Sequence, residues 1–153
     1  MSEIEQRLKT LGLTLPPLQD PVANYIRAVR TGNLIYLAGH LPVQDGQIAY
    51  QGKLGQDMGV EIGYEAARLV ILNCLATLKH ELGDLDRVRR IVKLLGMVNS
   101  APDFTDTPTV MNGASDLLVQ LYGERGRHAR SAVGMSALPQ GASVEIEMIV
   151  EVE

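Results

Sequence analysis

The sequence contains no tryptophan, one phenylalanine and one cysteine, Cys74. Without large aromatic side chains, the core of a chain of this length has to be aliphatic. A single cysteine cannot form a disulfide within the chain, which is typical of a reducing compartment. The sequence also lacks a charged-then-apolar leader and any apolar run near the roughly 18 residues that span a bilayer. We therefore expect a cytoplasmic protein without a membrane partner.

The sequence also has no excess of positive charge, because its formal net charge at pH 7 is -4. Nucleic-acid binders and binders of anionic membranes need a positive field. Basic residues are dense only at 87–93 and 125–130, and no aromatic residues that could stack on bases accompany them. The composition therefore disfavours a nucleic-acid partner. His80 and His128 lack further ligands at metal-binding spacing, so we expect no metal site.

Hydrophobic periodicity predicts strands that alternate with helices. Ser2 is a candidate N-cap for the first helix, and Thr107 for the last, with Pro108 as its first residue. We expect Cys74 to pack inside the long helix that Gly83 ends. In chain order the predicted elements are a helix at 2–12, a hairpin within 24–39, a turn at 44–47, a helix at 59–82, a strand at 88–100, a helix at 106–123, and two strands on either side of a turn at 139–141.

This order of elements predicts an α+β fold, a two-layer sandwich with two helices packed on one face of a mixed sheet. We interpret residues 1–153 as one domain with an N-terminal helical extension at about 2–12. The last predicted strand alternates strictly, which places its side chains on two different faces. One face carries Val144, Ile146, Met148, Val150 and Val152, and the other carries Glu145, Glu147, Ile149 and Glu151.

The aliphatic face of this last strand is expected to lie under the helices. Two interpretations remain open for the acidic face. It could simply be a sheet face that contacts water. It could instead face the interior of an oligomer, where one of its carboxylates could meet Arg130 at the head of the preceding strand.

Two stretches, "PVANYIRAVRTGNLIYLAGHLP" and "HARSAVGMSALPQGASVEIEMI", resemble the reactive intermediate deaminase family, which is also called YjgF and labelled endoribonuclease L-PSP. The resemblance covers about residues 20–152 and is strongest to a longer subgroup with an added N-terminal helix. It implies a chorismate mutase-like (bacillus-type) fold and a homotrimer with its sites in clefts between subunits. It also implies that imines and enamines such as 2-aminoacrylate are hydrolysed to 2-keto acids and ammonia without a metal or organic cofactor.

The resemblance also implies roles for particular residues. Arg130 occupies the family's arginine position, where it would bind the substrate carboxylate through two parallel hydrogen bonds. Glu145 matches the family's glutamate and would handle protons during the reaction. The other substrate-binding positions that the resemblance implies are Tyr25, Gly39, Asn112 and Ala132.

The sequence departs from the family's pattern at three positions. Ala38 and Ala132 stand where active deaminases usually carry serine and cysteine, and His40 stands where glutamine is frequent. Losing two polar side chains leaves carboxylate binding intact but weakens the prediction of imine hydrolysis. We therefore keep a second hypothesis, a trimer that binds small carboxylates or 2-keto acids without turnover. A third is the ribonuclease of the older label, which the acidic charge balance disfavours. His40 could lend acid or base near neutral pH, or simply be a hydrogen-bonded surface group.

Overall fold

The described residues form a sheet with helices packed on one of its faces. The computed structural model describes residues 2–18, 20–21 and 23–153. This architecture confirms the α+β fold predicted from the sequence, with helices on a mixed sheet. The strands are β1 (Ala28–Thr31), β2 (Leu34–Leu37), β3 (Val43–Gln44), β4 (Gln47–Ile48), β5 (Val88–Asn99), β6 (Ala129–Met135) and β7 (Val144–Val152), and the helices are α1 (Glu3–Thr10), α2 (Val60–Leu82) and α3 (Thr107–Tyr122).

The main sheet has β7 at its centre. In the part of the chain that the structure describes, the strand order is β1-β2-β7-β5-β6, and β3 pairs with β4 in a separate small ribbon. β5 and β6 run parallel, and the other neighbouring strands are antiparallel. The aliphatic residues of β7 are buried beneath the helices, as predicted, whereas Glu147 is exposed on the opposite face. We call this opposite face the outer sheet face.

The core between the sheet and the helices is aliphatic, as the composition predicts. The largest fully buried side chains in the described residues are isoleucines, leucines and Met111. A side chain at Gly96 of β5 would overlap Met111 of α3, so this glycine lets the helix approach the sheet. Cys74 is fully buried, and burial raises the pKa of its thiol. It therefore packs as a small apolar side chain, as expected.

Local capping chemistry explains the start of α1 and the end of α2, and one predicted cap is wrong. The Ser2 hydroxyl accepts a hydrogen bond from the Glu5 amide (3.0 Å) and so caps α1. Gly83 ends α2 with φ of 79°, a conformation that favours glycine. The N-cap of α3 is Asp106, and Thr107 is the first residue of that helix. Thr107 does not cap, because its hydroxyl donates to the Ala132 carbonyl of β6 (2.9 Å) and ties the helix to the sheet edge.

The N-terminal helix is attached to the rest of the fold at its first turn. The Glu3 and Ile4 amides donate to the Asp86 carboxylate at 2.9 and 3.0 Å. These amides would otherwise lack partners, because the first turn of a helix has no internal acceptors for them. Ile4 and Leu8 bury the apolar side of α1 in the core. Among the described residues, no helix combines the length and apolarity needed to cross a membrane.

Candidate functional site

Arg130 of β6 points toward α3. It pairs with the buried Leu94 of β5, so both side chains lie on the helix-covered face of the sheet. Nη1 of Arg130 donates to Asn112 Oδ1 and to Ser115 Oγ, both at 3.0 Å. Nη2 donates to the Pro108 carbonyl at 3.4 Å. Within the described residues these acceptors are all neutral, so the guanidinium is oriented without being paired with a carboxylate.

A second layer of hydrogen bonds orients Ser115. His128 Nδ1 lies 2.7 Å from the Gly126 carbonyl, which can only accept, so Nδ1 carries the proton in the neutral ring. The Ser115 hydroxyl then donates to His128 Nε2 (2.9 Å) while it accepts from Arg130. Burial and the nearby Arg130 lower the pKa of His128, although the bond to Gly126 opposes them. Neutral His128 therefore fits this arrangement at neutral pH.

Sequence reasoning did not identify Ser115 and His128 as site residues. Asn112 and Ser115 are three positions apart on α3, a spacing that places both on one face of a helix. That spacing was a usable signal once Asn112 had been singled out. His128 lies two residues before Arg130 on a strand, where alternate side chains share a face, so the same kind of argument applies to it.

Gly39 and Glu145 lie directly against each other. His40 pairs with Ile146 of β7 while Tyr36 pairs with Ile149, so the chain leading out of β2 has one more residue than β7 between these pairs. Such a bulge changes the direction in which neighbouring groups point. A Cβ built on Gly39 would overlap the Glu145 carboxylate. Burial, and then the neighbouring Glu147, raise the pKa of Glu145, so this carboxyl group holds its proton to a higher pH than usual.

Tyr25 and Gly39 line a cavity of about 190 Å³. We call it the Arg27 cavity. Its walls come from the segment before β1, the end of β2, the β3–β4 ribbon, α2 and the turn before β7. Tyr25 is half-exposed there. The lining residues are Asp20, Pro21, Tyr25, Arg27, Ala38, Gly39, His40, Leu41, Val43, Gly46, Gln47, Ile48, Asn73, Thr77 and Gln140.

His40 is held in this cavity wall by two hydrogen bonds. Its Nδ1 donates to the Ala38 carbonyl (2.6 Å), which leaves Nε2 to accept from the Thr77 hydroxyl (2.8 Å). Burial and Arg27 lower the pKa of His40 despite the bond to Ala38, so the neutral ring is favoured. Both nitrogens are therefore engaged inside the protein, and the geometry supports the hydrogen-bonded interpretation of His40 over an acid or base.

The predicted site residues fall into two groups within one chain. The first group, which we call the arginine half-site, contains Arg130, Asn112 and Ala132 on β6 and α3. The second, the glutamate half-site, contains Tyr25, Gly39 and Glu145 around β2 and β7. β7 and β5 lie between β2 and β6, a separation of three strand spacings or about 14 Å.

The two half-sites also lie on different faces of the sheet. Glu145 is level with Met97 of β5, which in turn pairs with Val133 of β6. Arg130 is three residues earlier on β6 and points to the helix-covered face, whereas Glu145 points to the outer sheet face. One chain therefore does not bring Arg130 and Glu145 together. Each half-site has its own chemistry: a guanidinium fork for a carboxylate, and a carboxyl group whose pKa is raised by burial.

A sequence model of the family described as YjgF/chorismate mutase-like, putative endoribonuclease matches residues 5–152. Protein TCP17 of Trypanosoma cruzi is 44% identical over 149 residues, which cover 97% of this chain and 93% of that protein. The 2-iminobutanoate/2-iminopropanoate deaminase of Dermatophagoides farinae is 26% identical over 144 residues, which cover 92% of this chain and 95% of that protein.

A solved structure from Shewanella oneidensis, described as a putative endoribonuclease, has the same fold with a TM-score of 0.95. It is 35% identical in sequence, and the match covers 97% of this chain and 99% of that chain. The likeness therefore extends over almost the whole of both chains, including the strands and helices that carry the two half-sites.

Proposed function

The chain belongs to the family described as YjgF/chorismate mutase-like, putative endoribonuclease, and on that premise we propose that it is a deaminase of small imines and enamines. The proposed substrates resemble 2-aminoacrylate, and the products are a 2-keto acid and ammonia. The likeness to the Dermatophagoides farinae deaminase supports this class of reaction. We place the activity in the cytoplasm, because a chain with one cysteine suits a reducing compartment.

The observation that carries this proposal is the arrangement of hydrogen bonds around Arg130. Asn112 and Ser115 take two hydrogen bonds from Nη1, and Pro108 takes one from Nη2. In the described residues this leaves Nε–H and the second Nη2 proton available to a ligand. A substrate carboxylate accepts two parallel hydrogen bonds from such a planar group, which orients the substrate as well as binding it.

Glu145 is the group we assign to proton transfer. The enamine first becomes the imine when its methylene carbon gains a proton and its nitrogen loses one. Water then adds to the imine carbon, and the carbon–nitrogen bond of the resulting aminoalcohol breaks to release ammonia and the keto acid. The upward shift of the Glu145 pKa suits these transfers, because it moves that pKa toward the working pH, where an acid or base acts best. The chemistry requires no metal or organic cofactor.

The proposed enzyme is a homotrimer whose sites lie between subunits. In such an assembly the arginine half-site of one copy would face the glutamate half-site of another. Val29, Tyr36 and Val133 support this assembly, because all three are apolar, are exposed and belong to the outer sheet face. Exposed apolar surface of this kind is typical of protein interfaces.

Binding without turnover is the second candidate function. Ala38 and Ala132 favour it, because neither side chain can hydrogen-bond to a reacting nitrogen or to water. A trimer with Arg130 intact could still bind a small carboxylate. Release of keto acid from freshly generated 2-iminobutyrate separates the two candidates: a rate above the uncatalysed one indicates an enzyme, and saturable binding of 2-ketobutyrate without acceleration indicates a binder. The ribonuclease in the family's description remains the weakest candidate, given the charge of -4.

Substitution of Arg130 by lysine tests the proposed carboxylate site. We expect Arg130→Lys to weaken binding of 2-ketobutyrate by about tenfold to a hundredfold, because lysine keeps the charge but loses the planar pair of donors. Glu145→Gln should weaken binding much less and should instead slow imine hydrolysis, because the amide keeps the shape but cannot exchange the proton. Calorimetric titration and a keto acid assay measure the two effects.

Arg127→Lys is the matched control, since Arg127 is an exposed arginine three residues before Arg130 and pairs with Glu124. We expect it to bind 2-ketobutyrate like the parent. If Arg130→Lys also binds like the parent, Arg130 does not bind the substrate carboxylate and the proposed function loses its main support.

A further inference from the structure

The proposed reaction uses neither Ser115 nor His128, yet both residues lie directly behind Arg130. Three hydrogen bonds connect them in a chain. His128 Nδ1 donates to the Gly126 carbonyl (2.7 Å), Ser115 Oγ donates to His128 Nε2 (2.9 Å), and Arg130 Nη1 donates to Ser115 Oγ (3.0 Å). A backbone carbonyl is therefore linked to the guanidinium through two side chains.

The carbonyl at the start of this chain belongs to a closely packed turn. Gly126 ends the short 3-10 helix Gly123–Gly126 that follows α3. A Cβ built on Gly126 would overlap the Leu118 carbonyl, so the turn packs directly against the backbone of α3. Arg125 in the same turn donates to the Val88 carbonyl at the start of β5 (2.8 Å). The Gly126 carbonyl is thus held between helix and sheet and provides a fixed point.

The direction of each hydrogen bond follows from this fixed point. A carbonyl only accepts, so the proton of the neutral His128 ring is on Nδ1 and Nε2 is left as an acceptor. The Ser115 hydroxyl gives its one proton to Nε2, which leaves its lone pairs to accept from Arg130. Without the histidine, the hydroxyl could turn to the carbonyl of the preceding turn of α3, as helical serines often do.

The chain determines which edge of the Arg130 guanidinium is available. Both Nη1 protons are taken, one by Ser115 and one by Asn112. Nε–H and the Nη2 proton beside it lie on the opposite edge, and such a pair of parallel donors matches the two oxygens of a carboxylate. Ser115 and Asn112 are neutral, so they orient the guanidinium without competing for its charge, as an acidic side chain would.

We propose that Ser115 and His128 are positioning residues for the carboxylate site: they hold Nη1 of Arg130 so that the edge formed by Nε and Nη2 faces the ligand. This inference rests on the proposed function, in which Arg130 binds the substrate carboxylate. Ser115 acts through Arg130, and His128 acts through Ser115. A guanidinium that is already oriented loses less freedom when the ligand binds, so the affinity is higher.

Calorimetric titration with 2-ketobutyrate tests the two residues. Ser115→Ala should raise the dissociation constant about fivefold to tenfold, because Nη1 loses one of its two acceptors. His128→Phe should raise it about threefold, because Ser115 keeps its hydroxyl but loses the acceptor that orients it. The double variant should bind like Ser115→Ala, because His128 acts only through Ser115. The number of ligands bound per chain should stay at the parent value, whereas partial unfolding would lower that number and leave the affinity unchanged.

Conservative variants at the same positions should restore binding. Ser115→Thr keeps the hydroxyl, and His128→Gln places an amide oxygen where Nε2 can no longer accept. We expect both to bind 2-ketobutyrate within about twofold of the parent. Thr10→Ala and His80→Phe are the controls, because Thr10 is an exposed residue of α1 and His80 an exposed residue of α2, and neither should change the affinity.

The mobility of Arg130 gives a second measurement, which needs no ligand. Nitrogen-15 relaxation at Nε of Arg130 reports motion of this side chain on the picosecond to nanosecond scale. We expect a lower order parameter in Ser115→Ala than in the parent, and the parent value in Thr10→Ala. An unchanged order parameter in Ser115→Ala would mean that Asn112 and Pro108 hold the guanidinium without the serine.

The outcomes separate this inference from the proposed function. If Ser115→Ala and His128→Phe bind like the parent while Arg130→Lys binds weakly, the positioning role is wrong and the carboxylate site stands. Fewer ligands bound at unchanged affinity, or additive losses in the double variant, would also overturn the positioning role. A parent that binds no keto acid and hydrolyses no imine overturns both proposals. If Ser115→Ala does not fold, His128→Phe and His128→Gln still decide the question.

Discussion

Gly39 contributes to the candidate site because it has no side chain. The family resemblance implied that Gly39 is a substrate-binding position. In the structure its α carbon also faces the Glu145 carboxylate so closely that there is no space for a side chain. The overlapping atom is the end of a flexible glutamate, so a substitution would displace that carboxylate before it displaced the backbone.

We expect Gly39→Ala to lower the free energy of unfolding by about 1 kcal/mol and to reduce imine hydrolysis as strongly as Glu145→Gln does, because the carboxylate is pushed aside. In a Glu145→Ala background the same substitution should cost close to nothing in stability. Urea unfolding of the parent, the two single variants and the double variant measures this coupling. If Gly39→Ala lowers the free energy of unfolding equally in both backgrounds, Gly39 is needed for its backbone conformation and not for the space it leaves.

Helix α1 depends on a carboxylate that is distant in sequence. Eight residues are too few for a helix to be stable alone in water, so this one requires tertiary contacts. Ile4 and Leu8 supply the apolar contacts, and Asp86 accepts from the first-turn amides. Burial acts to raise the pKa of Asp86, but the bonds from Ile4 and Glu3 outweigh it and the pKa is lowered. The negative charge is therefore part of how the helix is attached.

We expect Asp86→Asn to destabilise the protein by about 1 kcal/mol, somewhat less than is usual for hydrogen bonds to a charged group, because water reaches this site. Hydrogen exchange should accelerate in the first turn of α1 and not in β7. Since the folded pKa of Asp86 is below its unfolded value of about 3.9, its contribution is full above about pH 4 and is lost as the pH falls through the folded value. The variant should lack this acid-dependent loss.

Glu81→Gln serves as the control, because Glu81 is an exposed acid close to the end of α2. It should leave hydrogen exchange in α1 unchanged. Slow exchange in α1 of Asp86→Asn would mean that the buried Ile4 and Leu8 hold the helix without the carboxylate.

At the scale of the whole molecule, the proposed site requires a partner copy, because one chain keeps the two half-sites apart. A closed ring of identical subunits satisfies this requirement, because every arginine half-site then meets a glutamate half-site. Such pairing would also cover the outer sheet face, where apolar residues such as Val133 lie beside glutamates of β7. The separation of the half-sites and the composition of this face both follow from sheet order and strand register.

Mixing two inactive variants tests this assembly. Arg130→Ala damages only the arginine half-site, and Glu145→Ala damages only the glutamate half-site. If the variants are unfolded and refolded together in equal amounts, about a quarter of the sites should combine two intact halves and recover binding and turnover. Sedimentation should show trimers in the mixture and in each variant refolded alone.

Each variant refolded alone provides the control, because its trimers contain no intact site. No recovery in a mixture that forms trimers would mean that the two half-sites do not act together across subunits. A stable monomer by sedimentation would remove the proposed site altogether.

The sequence alone determined the elements and their faces. Periodicity placed the long helix between Gly59 and Gly83, and alternation separated Val144 from Glu145, because both patterns follow from local backbone geometry. The family motifs also brought Arg130, Glu145 and Gly39 to attention. At Thr107 the prediction of a cap was wrong, because the distant Ala132 carbonyl on β6 accepts the hydrogen bond of its hydroxyl.

Only the tertiary structure decided which of these residues meet. Sheet order places Arg130 and Glu145 on different strands and opposite faces, and the bulge after β2 places Gly39 against Glu145. The Ser115–His128 pair and the Arg27 cavity also depend on segments far apart in the chain. Strand pairing and helix packing are set by the summed burial of many distant residues, so no local pattern of spacing specifies them.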